Sequence, residues 1–247
     1  MVDRTKKPTV TIIIATYNAE RHVSACLASI ASQTFGDKEV VVVDGGSTDR
    51  TIELLEAADV ENLRWVSEAD NGIYDALNKG VSMAKGRWLY FLGADDRLLP
   101  GFSELADKLT DENTVYYGNS EPSARLPQGA FSNYRLAKYC MNHQSILYPA
   151  QVFEKYKYDL MYNVFADYAL NIQVWGDRNF TKKYFPITVA HYHMDGFSST
   201  TKDTQFLKNR GRLIRKHLGF LTYLRYLYKK YKARKIPGGI DPGVTGR

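Results

Sequence analysis

The stretch Thr9-Val10-Thr11-Ile12-Ile13-Ile14-Ala15-Thr16-Tyr17-Asn18-Ala19-Glu20 decides how this chain folds. Its opening is a continuous β-branched run, the pattern of a strand covered on both faces. The run then breaks into a polar cluster, as a strand does where it empties into a loop. Working outward, Val23, Leu27 and Ile30 recur at helical spacing, and Val40–Val43 repeats the buried-strand pattern. Gly45-Gly46-Ser47-Thr48-Asp49 supplies a turn and an N-cap for a helix through Ile52 and Leu55. Leu63–Val66 is a short third strand. Ile73, Ala76, Leu77, Gly80, Val81 and Ala84 mark one face of a helix, and Trp88–Leu92 is a fourth strand. Repeated strand–helix units of this kind predict an α/β fold, a mainly parallel sheet with helices on both faces.

Beyond residue 100 the pattern loosens. Thr114–Tyr117 and Ser145–Tyr148 read as strands around a Pro/Gly-rich loop, Glu121–Gly129. Phe165–Trp175 reads as a helix apolar nearly all round, Tyr184–His191 as a strand, and Asp195–Thr201 as a polar loop with the length and glycine of a closing flap. Two helices follow, and Pro237–Arg247 reads as a disordered tail. No internal repeat is found.

With 247 residues, 44% hydrophobic and 24% charged, the composition is that of a globular protein. No apolar run approaches the roughly 20 residues of a spanning helix, and Val10–Ala15 is too short for a signal-peptide core. The expected location is cytoplasmic, with a peripheral position at the inner face of the plasma membrane open to it. Cys26 and Cys140 lack CxxC spacing and read as buried thiols. The net charge of +6 is segregated: Lys202 to Lys235 holds twelve Lys or Arg and one Asp, hence +11, which leaves 6 − 11 = −5 for the remainder.

Four strand ends carry polar clusters: Ala15–Glu20, Asp44–Asp49, Asp70–Gly80 and Gly93-Ala94-Asp95-Asp96. At one edge of a parallel sheet they would converge on a single crevice, where ligands of such sheets bind. Neither a GxGxxG fingerprint nor a GxxxxGK[ST] phosphate loop is present. In Ile12–Glu20, Val40–Thr51, Asp70–Gly80, Phe91–Asp96, His143-Gln144-Ser145 and Asp167-Tyr168 the chain resembles the family 2 glycosyltransferases of GT-A fold. The bacterial surface-polysaccharide subgroup, of colanic-acid type, is nearest. The resemblance covers about Pro8 to Ser199.

The resemblance implies an inverting transfer of a sugar from a nucleoside diphosphate, UDP by default, to an acceptor hydroxyl of a glycan or lipid-linked substrate. It implies Mn²⁺ or Mg²⁺ on Asp96, with Asp95 as second ligand or nearer the ribose or sugar; carboxylate oxygens suit these ions. Relatives often carry a further acid where this chain has Gly93, so the ligand set differs here. His191 and His193 alternate across a strand end, and one of them is a candidate further ligand. Asp44 is implied at the nucleobase or ribose, with Thr16, Tyr17 and Glu20 lining the same pocket and Asp70 and Lys79 at the donor. Asp167, opening its helix, is implied as general base. His143 and, in the flap, Ser198 are candidates for the acceptor side.

In the C-terminal segment Phe220, Leu221, Leu224, Leu227, Tyr228 and Tyr231 form one helical stripe, and Arg225, Lys229 and Lys232 another. Such a helix can lie on an anionic membrane or dock on the protein's own body; no nucleic-acid motif accompanies the charge. The expected division is a GT-A domain over 1–201 (a nucleotide-sugar half at about 8–98, an acceptor half at 99–201), basic amphipathic helices over 202–235, and a tail over 236–247. The rival activities are a sugar nucleotidyltransferase, whose glycine-rich opening is replaced here by Thr16-Tyr17-Asn18, and a non-catalytic glycan-binding relative.

Overall fold

A computed structural model describes residues 7–123, 127–193 and 203–234. The four β-branched or apolar runs form β1 (Val10–Thr16), β2 (Lys38–Asp44), β3 (Leu63–Ser67) and β4 (Trp88–Gly93), all parallel. They alternate with α1 (Val23–Ala31), α2 (Thr51–Glu56) and α3 (Ile73–Met83). Then come β5 (Arg97–Leu98), α4 (Gly101–Ala106), β6 (Thr114–Glu121), α5 (Asn133–Lys138), β7 (Ile146–Pro149), α6 (Gln151–Lys155), α7 (Ala166–Gly176) and β8 (Thr181–His191). One sheet runs in the order β3-β2-β1-β4-β7-β6-β8-β5, with β7 antiparallel to both neighbours and β5 antiparallel to β8. This is the mixed, mainly parallel α/β sheet expected.

Successive strand residues feed opposite cores, as the two-residue period requires. Ile13 and Phe91 pack with Leu77, Tyr148 and the α7 residues on one face; Ile12, Ile14, Tyr90 and Leu92 pack with Leu27 and Phe102 on the other. Gly80 lies inside α3 because a Cβ there would come within 2.4 Å of Ile13 Cγ2. The helix can therefore lie close against β1.

Several boundaries differ from expectation. Ser145 belongs to a 3₁₀ turn, His143–Ser145, that precedes β7. β8 starts at Thr181 rather than Tyr184, because Thr181-Lys182-Lys183 pairs with Thr114-Val115-Tyr116 of β6 through backbone bonds that apolar patterning does not report. Asp167 is not the cap of α7: Phe165 holds that position without a side-chain bond, and Asp203, far along the chain, accepts from Val164 N and Phe165 N, both at 3.1 Å. The flap, including Ser198, and the 236–247 tail lie outside the described residues.

The C-terminal segment comprises α8 (Thr204–Leu213), a π-helical turn (Ile214–Leu218) and α9 (Phe220–Arg234). Arg210 of α8 is fully buried, its guanidinium 5.2 Å from the Tyr168 ring and 5.1 Å from Tyr226, and it donates to Ala137 O and Lys138 O at the end of α5. Aromatic faces and helix-terminal carbonyls both favour a cation there. Among the described residues no helix is long and apolar enough to cross a membrane.

Candidate active site

The register of the parallel strands builds the site. Thr16 lies beside Asp44, Asp44 beside Ser67, and Ala15 beside Gly93, so the loops after β1 to β4 leave the sheet side by side. Asp44 is fully buried at their centre. Its Oδ1 accepts from Thr16 Oγ1 (3.0 Å) and Ser47 Oγ (2.5 Å); its Oδ2 accepts from Gly46 N (3.0 Å), Ser47 N (2.8 Å) and Ser67 Oγ (2.7 Å). Burial alone would push this carboxyl up, but the bonds from Ser47, Ser67 and Thr16 outweigh it and hold Asp44 below the usual range. Five donors saturate a carboxylate; Asp44 here knots three loops together.

The first loop is stitched to the second. Asn18 N donates to Ser47 Oγ (2.8 Å), Thr48 N to Asn18 Oδ1 (2.9 Å), and Arg50 N to Glu20 Oε2 (3.1 Å). Tyr17, 65% exposed, stands out from this frame with its ring face open. Asp70 accepts from Gly72 N (2.8 Å) at the head of α3. Lys79 reaches back to Glu68 Oε1 (2.8 Å) and Ala69 O (3.0 Å), bracing the loop that carries Asp70.

The acid pair closes over Gly93. A Cβ at that position would lie 2.5 Å from Asp96 Oδ2 and 2.9 Å from Asp95 Oδ1, so the two carboxylates converge where a side chain would otherwise stand. The glycine is therefore demanded by the placement of its neighbours. Asp96 is buried; Gly93 N (3.2 Å) and the Gln144 amide donate to its Oδ2, and His193 N (2.8 Å) to its Oδ1. Burial first, and the Asp95 charge second, push its carboxyl from 3.8 up to about 6 against those bonds. Two crowded carboxylates held with a residual electrostatic penalty are what a divalent cation relieves. Among the described residues no three His, Cys, Asp or Glu side chains form a ready cation cage. Carboxylate oxygens such as those of Asp95 and Asp96 are the donor chemistry that Mg²⁺ or Mn²⁺ takes. His193 meets Asp96 through its backbone, its ring 5.5 Å from that of His22. His191 pairs instead with Glu121 Oε1 at 3.2 Å. Cys26, buried beneath, donates to Gly93 O at 3.5 Å; burial and the two acids keep its thiol protonated.

Asp167, in the first turn of α7, is 1% exposed. Its Oδ2 lies 3.1 Å from His143 Nδ1, and its Oδ1 3.0 Å from the Tyr74 hydroxyl, which also reaches Val164 O at 2.6 Å. His143 and Gln144 are consecutive, so one 3₁₀ turn holds Asp167 with one side chain and Asp96 with the next. The turn is itself pinned: Asn142 Oδ1 accepts from Gln144 N (3.0 Å), and Tyr90 OH donates to Gln144 O (2.5 Å). Tyr74, Gln144 and Asp203 are the contributors that residue patterns did not single out for a role; all three act across long stretches of chain.

Residues 11–156 match the family model for Glycosyl transferase family 2. A PGL/p-HBAD biosynthesis glycosyltransferase of Mycobacterium tuberculosis is 39% identical over 219 residues, 81% of this chain and 83% of the relative. The chain belongs to glycosyltransferase family 2. Among more distant relatives, the chondroitin synthase of Escherichia coli is 36% identical over 100 residues, 40% of this chain and 15% of the synthase. The fold is that of GT-A structures. S. aureus TarS 1–349 in complex with UDP-GlcNAc superposes with a TM-score of 0.71 at 18% identity, over 85% of this chain and 66% of that one. The mannosyltransferase PcManGT from Pyrobaculum calidifontis, in complex with GDP-Man and Mn²⁺, gives 0.62 at 19% identity, over 97% of this chain and 69% of that one. For this family 2 glycosyltransferase the activity is glycosyl transfer, which sets aside the nucleotidyltransferase and non-catalytic alternatives.

Proposed function

We propose that this enzyme transfers a sugar from a nucleoside diphosphate donor, UDP-linked by default, to an acceptor hydroxyl with inversion at the anomeric carbon. The observation that carries the reading is the 3₁₀ turn His143–Ser145, which ties the Asp95–Asp96 pair to Asp167. The loops knotted by Asp44 and Thr16 and braced by Glu20 and Lys79 form the donor side, with the Tyr17 ring offered to the base and Asp70 at the sugar end. Asp95 and Asp96 would hold Mn²⁺ or Mg²⁺, which neutralises charge on the departing diphosphate. His191 stays paired with Glu121, so His193 is the better histidine for any further ligand. Asp167 and the residues bonded to it form the proton-accepting side, with Ser198 assigned to the acceptor. Residues 1–201 act as the GT-A domain, with the donor half at about 8–98 and the acceptor half at 99–201. A thermal-shift series with UDP, GDP and dTDP, each with and without Mn²⁺, tests the reading: one nucleotide should stabilise the protein, and Mn²⁺ should enlarge the shift. No shift with any nucleotide would overturn it.

A second element of the proposal concerns where the acceptor is met. Phe220 (57% exposed), Leu221 (75%), Leu224, Leu227, Tyr228 and Tyr231 all face outward on α9, whereas Tyr226 is buried against Arg210. The helix docks on the body with its Tyr226 side, while its wider apolar stripe is exposed and is flanked by the exposed Arg225, Lys229 and Lys232. An apolar stripe beside a row of cations suits the headgroup layer of an anionic membrane. A lipid-linked glycan acceptor is consistent with that placement, and the mycobacterial relatives are named for PGL/p-HBAD biosynthesis. The enzyme is thereby assigned to a peripheral position at the inner face of the plasma membrane, making a surface glycan or polysaccharide. Vesicles containing phosphatidylserine should bind the protein and release it at high salt; equal binding to neutral vesicles would count against the cationic part of the reading.

A further inference from the structure

The Asp167 carboxylate is poorly placed to meet a substrate. It is 1% exposed, its Oδ1 faces the Tyr74 hydroxyl, and its Oδ2 faces the His143 ring. The His143 side chain retains 13% of its surface. When Asp167 is ionised it can only accept, and across the 3.1 Å contact the imidazole proton then sits on Nδ1 and a lone pair is left on Nε2, across the ring. Among the described residues no hydrogen bond reaches His143 Nε2. The ring is held in place from both sides, by Asp167 and by the pinned turn whose next residue, Gln144, donates to Asp96. The turn thus joins the imidazole directly to Asp167 and, through its neighbour Gln144, to Asp96.

We propose that His143 Nε2, not the Asp167 carboxylate, takes the proton of the acceptor hydroxyl, and that Asp167 is a positioning residue fixing the tautomer and orientation of the ring. This rests on the transfer reading above. In the step, the acceptor oxygen forms a bond to the anomeric carbon as its proton passes to Nε2. The bond from the anomeric carbon to the diphosphate oxygen breaks, and the nucleoside diphosphate leaves with the electron pair. The imidazolium so formed is paired with Asp167 and returns its proton to solvent once product has left. The arrangement follows the logic of a carboxylate–histidine pair, in which the buried acid orients and the imidazole exchanges protons.

The test uses the full chain with the nucleotide sugar (UDP-, GDP- or dTDP-linked) and the octyl glycoside on which the wild type turns over. His143→Ala should lower kcat by about 10²–10⁴-fold with the donor KM held, and added imidazole should restore at least about ten-fold of the loss. His143→Asn keeps a polar contact to Asp167 without a base, so it should stay inactive and gain nothing from imidazole. Adding Asp167→Asn to His143→Ala should cost little beyond His143→Ala alone, because the orienter has nothing left to orient. If His143→Ala and His143→Asn keep turnover within about three-fold of wild type while Asp167→Asn loses it, Asp167 itself takes the proton and the proposal is overturned. If the wild type transfers no sugar from any of these donors, it is the transfer reading that has failed.

Discussion

The ends of β4 and the start of α7 each bury one carboxylate to the same degree, and the two are surrounded in opposite ways. Asp96 faces another acid, Asp95, and its carboxyl is pushed up to about 6. Asp167 faces a histidine and a tyrosine hydroxyl. The first environment sets two acids against each other; the second sets the acid among hydrogen-bonding groups of the protein. Comparable depth therefore says little about role; in the function proposed above, the chemistry of the neighbours separates a charge-neutralising region from a proton-handling one. A single turn, His143–Ser145, keeps the two regions at a fixed distance.

If the regions divide the work in this way, their variants should fail differently. The largest effect is expected for Asp167→Asn, which should lower kcat about 10²–10⁴-fold while nucleotide binding persists. A melting-temperature control is essential, although Asp167 is not the cap of its helix, so the fold should hold. The second expectation concerns pH. Because the folded-state carboxyl of Asp96 sits above its ordinary 3.8, the cation-free protein holds a proton that the unfolded chain has released. Wild type should gain stability over Asp96→Asn as pH falls from 7 to 5, on the order of 1 kcal/mol over that range. Saturating Mn²⁺ should flatten the difference. Paired denaturant melts across this range check both, and a slope of the opposite sign would place another group in control.

A smaller effect is expected at the joint. Gln144→Ala removes a donor from buried Asp96 and should cost about 1–3 kcal/mol in stability. It should weaken Mn²⁺-dependent nucleotide binding as well, which a titration calorimeter would read. The smallest belongs to the surface: Lys229→Gln should reduce binding to phosphatidylserine vesicles by about 1 kcal/mol and leave turnover on a soluble acceptor unchanged. A fall in soluble turnover would mean that α9 serves the site rather than a membrane.

Much of the first half of the sheet, β1 to β4 and their loops, was legible in the chain because its signals are local. Buried parallel strands announce themselves as β-branched runs, and their polar ends are forced together by sheet topology. The half beyond residue 98 was less legible. The short α5 and α6 and the two-residue β5 carry too little periodicity to be read. Asp203 organises the start of α7 from a distance, and Gln144 acquires its role only when β7 inserts antiparallel between β4 and β6. Asp44 was placed correctly at a strand end, but nothing local reveals that five protein donors occupy it. In α9 the sequence leaves open whether the wider stripe meets a membrane or the body; the helix buries Tyr226, which lies outside that stripe, against Arg210 of another helix.

The division between the two acids is tested most directly by nucleotide-induced thermal shifts, with and without Mn²⁺, in wild type, Asp96→Asn and Asp167→Asn side by side. The Mn²⁺-dependent part of the shift should vanish in Asp96→Asn and survive at full size in Asp167→Asn. Loss in both variants, or retention in both, would contradict the assignment of the cation to one acid and the proton to the surroundings of the other.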